Sequence, residues 1–313
     1  MKTYYFIILL LVTILFIGCE KEQSEFDKQV EKNDNELADF LDGANSDIQF
    51  STEGYYFQPL IKNEEGEEIS HKDIIEFYYS MTLLDGTELP GYMDTTKPPL
   101  LFKKGGMSII PEALDYGAGL MRTGETYRFY IPSYLAFFDY GHSDYFPEFS
   151  NLVVDMYISG TLSEAEVQQR EEDSIQAYLT LTNSMDAKNY ATGLIYLENK
   201  KGDGAMPVTG DYVSILFTSK YLDGTIIRSE KANPMKFYLG TDRATEGLQD
   251  GIRLMKNGGK ATLIMPSRIA FGKSLQAIPL GIRTELYDDQ WLRYDVDPYS
   301  PIIYEVELVN FWR

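Results

Sequence analysis

The chain has 313 residues, 48 of them acidic against 28 basic, and its formal charge of −20 repels phosphate backbones and anionic headgroups alike, which excludes nucleic acid as a partner. With 44% hydrophobic and 14% aromatic side chains it has the apolar content for two cores of roughly 120 residues each. The single cysteine, Cys19, excludes an internal disulfide and a cysteine-built metal cluster.

Taken in order, Lys2 precedes an apolar run over residues 4–17 that is short for a membrane span and placed as a signal-peptide core. Leu15-Phe16-Ile17-Gly18-Cys19 resembles the bacterial lipobox, with Phe16 standing where leucine is usual. A lipoprotein signal peptide over residues 1–19 and lipidation of Cys19 follow as expectations, with an uncleaved anchor helix as the alternative. Glu20-Lys21-Glu22 resembles the acidic export signal of surface lipoproteins in Bacteroidota-type bacteria. The implied location is the cell envelope, lipid-anchored at the outer membrane and facing the periplasm or the surface. Residues 20–45 read as a tether and a helix, with Phe26, Val30, Leu37, Phe40 and Leu41 loosely at helical spacing before Gly43.

Beyond Gly54 the pattern turns to strands. Residues 55–57 and 74–84 flank a charged turn at 63–68, and the alternation of Ile75, Phe77 and Tyr79 gives one buried face. Asp85-Gly86 supplies a tight reversal, and residues 152–158 close the first set of strands. Ser163-Glu164-Ala165-Glu166 is a capping box that opens a helix over residues 163–181, whose Ile175, Tyr178, Leu179 and Thr182 form a stripe suited to docking on a domain. Val213, Ile215 and Phe217 then lead to a second Asp223-Gly224 turn. In residues 236–272, Thr245 takes the N-cap position of a helix of about three turns through Leu248, Ile252 and Met255, ended by Gly258-Gly259. A strand over residues 261–265 follows, stopped by Pro266, and residues 302–311 form the last strand.

The two halves repeat one another. Leu120-Met121-Arg122-Thr123-Gly124 matches Leu254-Met255-Lys256-Asn257-Gly258, and Ile131-Pro132-Ser133 through Phe137 matches Met265-Pro266-Ser267 through Phe271. Each copy exceeds 100 residues, so the repeat makes two domains and not a solenoid. The boundaries expected are 46–162 for the first, 163–187 for a linker helix and 188–313 for the second.

A strand, a Leu-x-Asp-Gly turn, Phe-x-Leu-Gly, a short helix, Met-x-x-Gly, a strand, Pro, Ala-Phe-Gly and a terminal Glu-Val-Glu-Leu strand resemble, in that order, the FKBP family of peptidyl-prolyl isomerases. Tyr221-Leu222-Asp223-Gly224, Phe237-Tyr238-Leu239-Gly240 and Glu305-Val306-Glu307-Leu308 carry the closer match, in the second copy. The resemblance implies an α+β fold in which two FKBP-like domains each wrap an antiparallel sheet around a short helix. It also implies an apolar pocket in which X-Pro rotation, with a barrier of about 18–20 kcal/mol, is eased by excluding water and favouring the twisted amide. No metal or cofactor is called for.

Carried over by resemblance, Tyr79 and Tyr140 take the two hydroxyl-bearing positions of the first site and are its candidate catalytic residues. Phe102 is an aromatic wall, Ile110 the residue whose amide meets substrate, and Phe146-Pro147 the lid. Leu89 and Leu114 replace a phenylalanine and the tryptophan floor. In the second site Phe217 and Phe271 occupy the tyrosine positions without hydroxyls and Leu248 replaces the tryptophan. Phe237, Ile278-Pro279 and Tyr304 complete its wall, and a long charged lid runs over residues 272–301 with Trp291 and Tyr294. His71 and His142 lack the partners of a catalyst or a ligand.

Two functions follow. One is an exported lipoprotein isomerase acting on proline-containing polypeptide clients and anchored to the membrane by its lipid, with activity concentrated in the first domain. The other is a non-catalytic tandem binding module or chaperone that keeps the apolar groove without turnover. Under either, a client engaged by both grooves would gain from effective concentration, with the long lid as candidate contact surface.

Overall fold

The computed structural model describes residues 24–43, 47–184 and 186–313. Residues 1–19, read from the sequence as a lipoprotein signal peptide ending at Cys19, lie outside the described residues. The chain divides into two compact units, Met1–Asp42 and Gly43–Arg313. In the first, a helix spans Glu25–Leu41, opened by a reciprocal capping box between Ser24 and Asp27.

In the second unit the duplication is written into the topology. The first repeat contributes β1 (Gln49–Phe50), β2 (Tyr56–Ile61), β3 (Ile74–Leu83), β4 (Glu88–Tyr92), β5 (Leu100–Lys103), β6 (Ile109–Ile110), β7 (Thr126–Ile131) and β8 (Leu152–Leu162). The second contributes β9 (Lys188–Asn189), β10 (Ile195–Lys200), β11 (Tyr212–Tyr221), β12 (Ile226–Tyr238), β13 (Lys260–Met265), β14 (Gln276–Ala277) and β15 (Ile302–Trp312). The first sheet runs β1-β2-β7-β8-β3-β4, with β5 also on β3, and the second, read the same way, β9-β10-β13-β15-β11-β12. All pairs within these two sheets are antiparallel.

Each sheet wraps one short helix, Ala113–Ala118 in the first repeat and Glu246–Arg253 in the second. A glycine lets each helix approach its sheet. A Cβ on Gly117 would lie 2.2 Å from the Phe129 ring, and one on Gly251 would lie 2.3 Å from a Leu263 methyl. One polar side chain per helix ties down the preceding loop. The buried Asp115 carboxylate accepts from the Gly105 and Met107 amides at 2.7 and 3.1 Å, while Gln249 accepts from the Gly240 amide and donates to the Thr241 and Ala244 carbonyls.

The second helix is shorter than its sequence predicts, with eight residues and its C-cap at Leu254. Met255 is buried beyond it, its amide turned back to the Ile252 carbonyl, and Gly258, at φ +70°, shapes the turn into β13 instead of ending the helix. Thr245 is the N-cap by backbone conformation, yet its hydroxyl is buried and caps nothing.

The linker helix, Glu164–Leu181, has the capping box expected at Ser163 and Glu166. Ile175 and Leu179 pack on Ile195, Ile264 and Ile303 of the second sheet, while Val167 packs with Ile74 and Leu162 of the first. Adjacent residues grip the two repeats: Arg170 pairs with Glu76 on β3, and Glu171 accepts from the amide and hydroxyl of Ser267.

The loop over residues 272–301 is ordered and lies between the repeats. It holds β14, a turn of 3-10 helix (Leu280–Ile282) and a helix (Arg283–Asp288), and β14 pairs in parallel with β6 of the first repeat. Buried Arg283 pins the loop upon itself, donating to the Val296 and Leu275 carbonyls and pairing with Asp297 at 3.1 Å. The Tyr221 hydroxyl accepts from the Asp297 amide at 2.9 Å and so ties the loop to the second sheet.

Candidate functional site

Each repeat forms a groove between its sheet and its short helix, and the two grooves differ in what fills them. In the first, β3 places Tyr79, β4 Leu89, β5 Phe102 and the short helix Leu114, all buried in one apolar cluster with Tyr140 and Phe146. Ile110 is half-buried against that cluster. Phe102 meets Phe77 edge-on at 5.3 Å, and Phe146 stacks on Phe137 at 4.8 Å. The structure therefore brings the residues singled out for the first site into one place, except Pro147, which is exposed and lies outside the cluster.

The same cluster contains Ala277, Ile278, Ile282, Leu286 and Leu292 from the long loop of the second repeat. Ile278-Pro279 does not wall the second groove, as its sequence position suggests. It lies in the first, because β14 pairs with β6 and carries it there. The Gln276 amide donates to the Ser108 carbonyl at 2.7 Å and the Ile278 amide to the Ile110 carbonyl at 3.1 Å. The Tyr79 hydroxyl accepts from the Leu280 amide at 3.3 Å. Tyr140 meets Trp291 edge-on at 5.5 Å. His142, which its sequence context leaves without a role, approaches Glu285 at 3.1 Å and stacks on Tyr145. The Ile110–Pro111 and Ile278–Pro279 peptide bonds are both cis.

Burial raises both tyrosines. Tyr79 is pushed well above the ordinary phenol value by desolvation, against the pull of the Leu280 amide. Tyr140 is raised by desolvation and then by the Glu285 and Asp289 carboxylates of the loop. Both are neutral at physiological pH, so their hydroxyls are available for hydrogen bonding.

The second groove is open. A cavity of about 600 Å³ is lined by Phe217 of β11, Leu248 of the short helix, Phe271 of the Pro-Ser corner and Tyr304 of β15. Phe237 belongs to the same core at 2% exposure but does not line the cavity. Phe217 and Tyr304 lie 5.3 Å apart between ring centres, and Phe271 meets Tyr294 of the loop edge-on at 5.0 Å. Burial pushes the Tyr304 phenol up to about 12, against hydrogen bonding by Ser219 and the nearby Arg228 guanidinium. Arg228, held by Glu230 at 2.7 Å, and Asp242 give the cavity a polar rim, and Tyr287 and Asp288 of the loop close one side.

Such a cavity can accept a proline ring and strip water from the preceding carbonyl, with Ser219, Arg228 and Tyr304 as the hydrogen-bonding groups at its wall. The loop residues in the first groove escape a reading of the sequence because their contacts lie more than 130 residues away along the chain. The one local signal is an apolar Ala277-Ile278-Pro279-Leu280 run inside a charged segment.

Comparison with known proteins agrees with this geometry. The family model described as FKBP-type peptidyl-prolyl cis-trans isomerase matches residues 65–158 and 204–309, more than half of the chain. The chain belongs to that family. A probable FKBP-type peptidyl-prolyl cis-trans isomerase FkpA of Neisseria meningitidis is 30% identical over 138 residues, 43% of this chain and 44% of that protein. The chloroplastic isomerase FKBP16-3 of Arabidopsis thaliana is 34% identical over 119 residues, 37% of this chain and 48% of that protein. The chain thus spans about half the length of these curated relatives. Among solved structures, the three FKBP domains of wheat FKBP73 align over 83% of this chain and 96% of that one, at 21% identity and a TM-score of 0.32.

Proposed function

We propose that this protein is an exported, lipid-anchored peptidyl-prolyl cis-trans isomerase that speeds proline-limited folding of envelope or surface polypeptides. Membership of the isomerase family supports the reaction, and the lipobox-like segment at Cys19 supports the address. The single observation that carries the reading is the open cavity of about 600 Å³ in the second repeat, whose walls are Phe217, Leu248, Phe271 and Tyr304. A client proline enters there, loses its water, and finds the twisted amide less disfavoured than in bulk solvent.

The test is refolding of a protein limited by an X-Pro step, which without catalysis takes tens to hundreds of seconds. The full chain accelerates that phase, and Met235→Arg, which puts a charged side chain at a position on β12 that also lines the cavity, removes most of the acceleration. No acceleration by the intact chain overturns the isomerase reading. A second reading, a non-catalytic binding module, draws support from Phe217 and Phe271, which bring no hydroxyl to the open cavity. Under it the chain binds unfolded proline-containing protein but leaves the refolding rate unchanged.

A further inference from the structure

Residues 276–282 run through the first groove as a bound peptide would. The amides of Gln276, Ile278 and Leu280, at alternate positions, all donate to the first repeat, to the Ser108 and Ile110 carbonyls and the Tyr79 hydroxyl. Ala277 and Ile278 are 0% exposed. At Gly281 the fit is close, since a Cβ would lie 2.3 Å from the Tyr145 hydroxyl and would have to displace that side chain. Around this segment, Trp291 meets Tyr140 edge-on and Glu285 faces His142. Farther along, the same loop turns Tyr287 and Tyr294 toward the open cavity of the second repeat.

We propose that the first groove is latched shut by this loop, so that the chain's own Ala277-Ile278-Pro279-Leu280 is its resident ligand and an outside polypeptide enters only when the loop leaves. The second cavity is then the entry point for clients in the resting protein. A bivalent engagement of one client by both grooves requires the latch to open first. Tethering supplies the physical reason. A covalently attached segment faces its groove at an effective concentration in the millimolar range, so a free peptide of similar contacts competes poorly below that level. The inference extends the proposed function by assigning the two grooves different occupants.

Two measurements on the full chain test it. In the wild type, hydrogen exchange at the Gln276 and Ile278 amides is expected to be as slow as in Ile74–Leu83, the central strand of the first sheet. The synthetic peptide Leu-Gln-Ala-Ile-Pro-Leu-Gly-Ile-Arg, a copy of residues 275–283, is then titrated into the wild type and into the triple variant Ile278→Gly, Pro279→Ser, Leu280→Gly. The variant is expected to bind one equivalent more than the wild type, and Gly281→Val, which clashes with Tyr145, to move the wild type in the same direction. Fast exchange at the two amides in the wild type overturns the latch. So does equal stoichiometry in wild type and both variants while β3 stays protected. Exchange reads the latch whether or not any client is isomerised, so failure of the latch and failure of the isomerase reading are distinguishable.

Discussion

Glu171 of the linker helix accepts hydrogen bonds from both the amide and the hydroxyl of Ser267, the first residue after the proline that ends β13. The carboxylate is 5% exposed, and it fixes the corner that carries Phe271 into the second cavity. A surface-lying helix is thereby made part of the site's foundation.

A pH dependence follows from that burial. Desolvation pushes the Glu171 carboxyl above its ordinary value of 4.5, outweighing the Ser267 hydrogen bonds that pull it down. The folded state therefore holds this proton more tightly than the unfolded state does. Its contribution to stability is fully present below the unfolded pKa and is lost as pH rises through the raised folded one. Urea midpoints of the wild type should carry this falling component above pH 4.5, and Glu171→Gln should lack it. An identical pH profile for the two proteins would remove Glu171 as the source.

Arg283 is the next point of leverage. It is 6% exposed and holds the Val296 and Leu275 carbonyls and the Asp297 carboxylate, so it sets the shape of the loop. Arg283→Ala should cost about 1.5–3 kcal/mol, the range for hydrogen bonds to a charged group. The loss should appear first as faster hydrogen exchange across residues 274–297 and only later as a lower melting temperature. Unchanged exchange in that segment would contradict the assignment.

For Tyr140 the latch predicts a smaller weight than its sequence position suggests. Trp291 meets the ring edge-on, and Ile278, Ile282 and Leu286 of the loop share its apolar cluster, so under the latch a client does not occupy this groove in the resting protein. Refolding catalysis by the full chain should change less than about twofold in Tyr140→Phe, corresponding to about 0.4 kcal/mol in the barrier. A tenfold loss would place the active groove in the first repeat and would count against the latch as well.

Lipidation is tested separately from the fold. Cys19 is the only thiol in the chain, so metabolic labelling with a fatty-acid analogue should mark the wild type and not Cys19→Ala. Label retained by the variant would refute attachment at Cys19.

The sequence by itself determined what depends on neighbours along the chain. The capping box at Ser163 and Glu166, the strand through Ile75, Phe77 and Tyr79, the Asp-Gly turns and the paired Pro-Ser corners are local signals, and seen twice they gave the FKBP topology, although alternation pointed to one buried face where Ile74, Glu76 and Tyr78 are buried as well. Its errors were also local. Helical spacing carried Leu248 and Ile252 on to Met255, but spacing cannot report that the chain turns back at Leu254 while Met255 still reaches the core. Which groove stays open was decided only by tertiary structure. Ile278 aligns with the lid of its own repeat, and β pairing between residues 276–277 and 109–110 delivers it to the other one. A residue's apolar character states that it will be buried, and carries no address for where. That address comes from backbone hydrogen bonds and shape, such as the Leu280 amide on Tyr79 and the space beside Gly281 that Tyr145 fills, and these exist only once both repeats have folded.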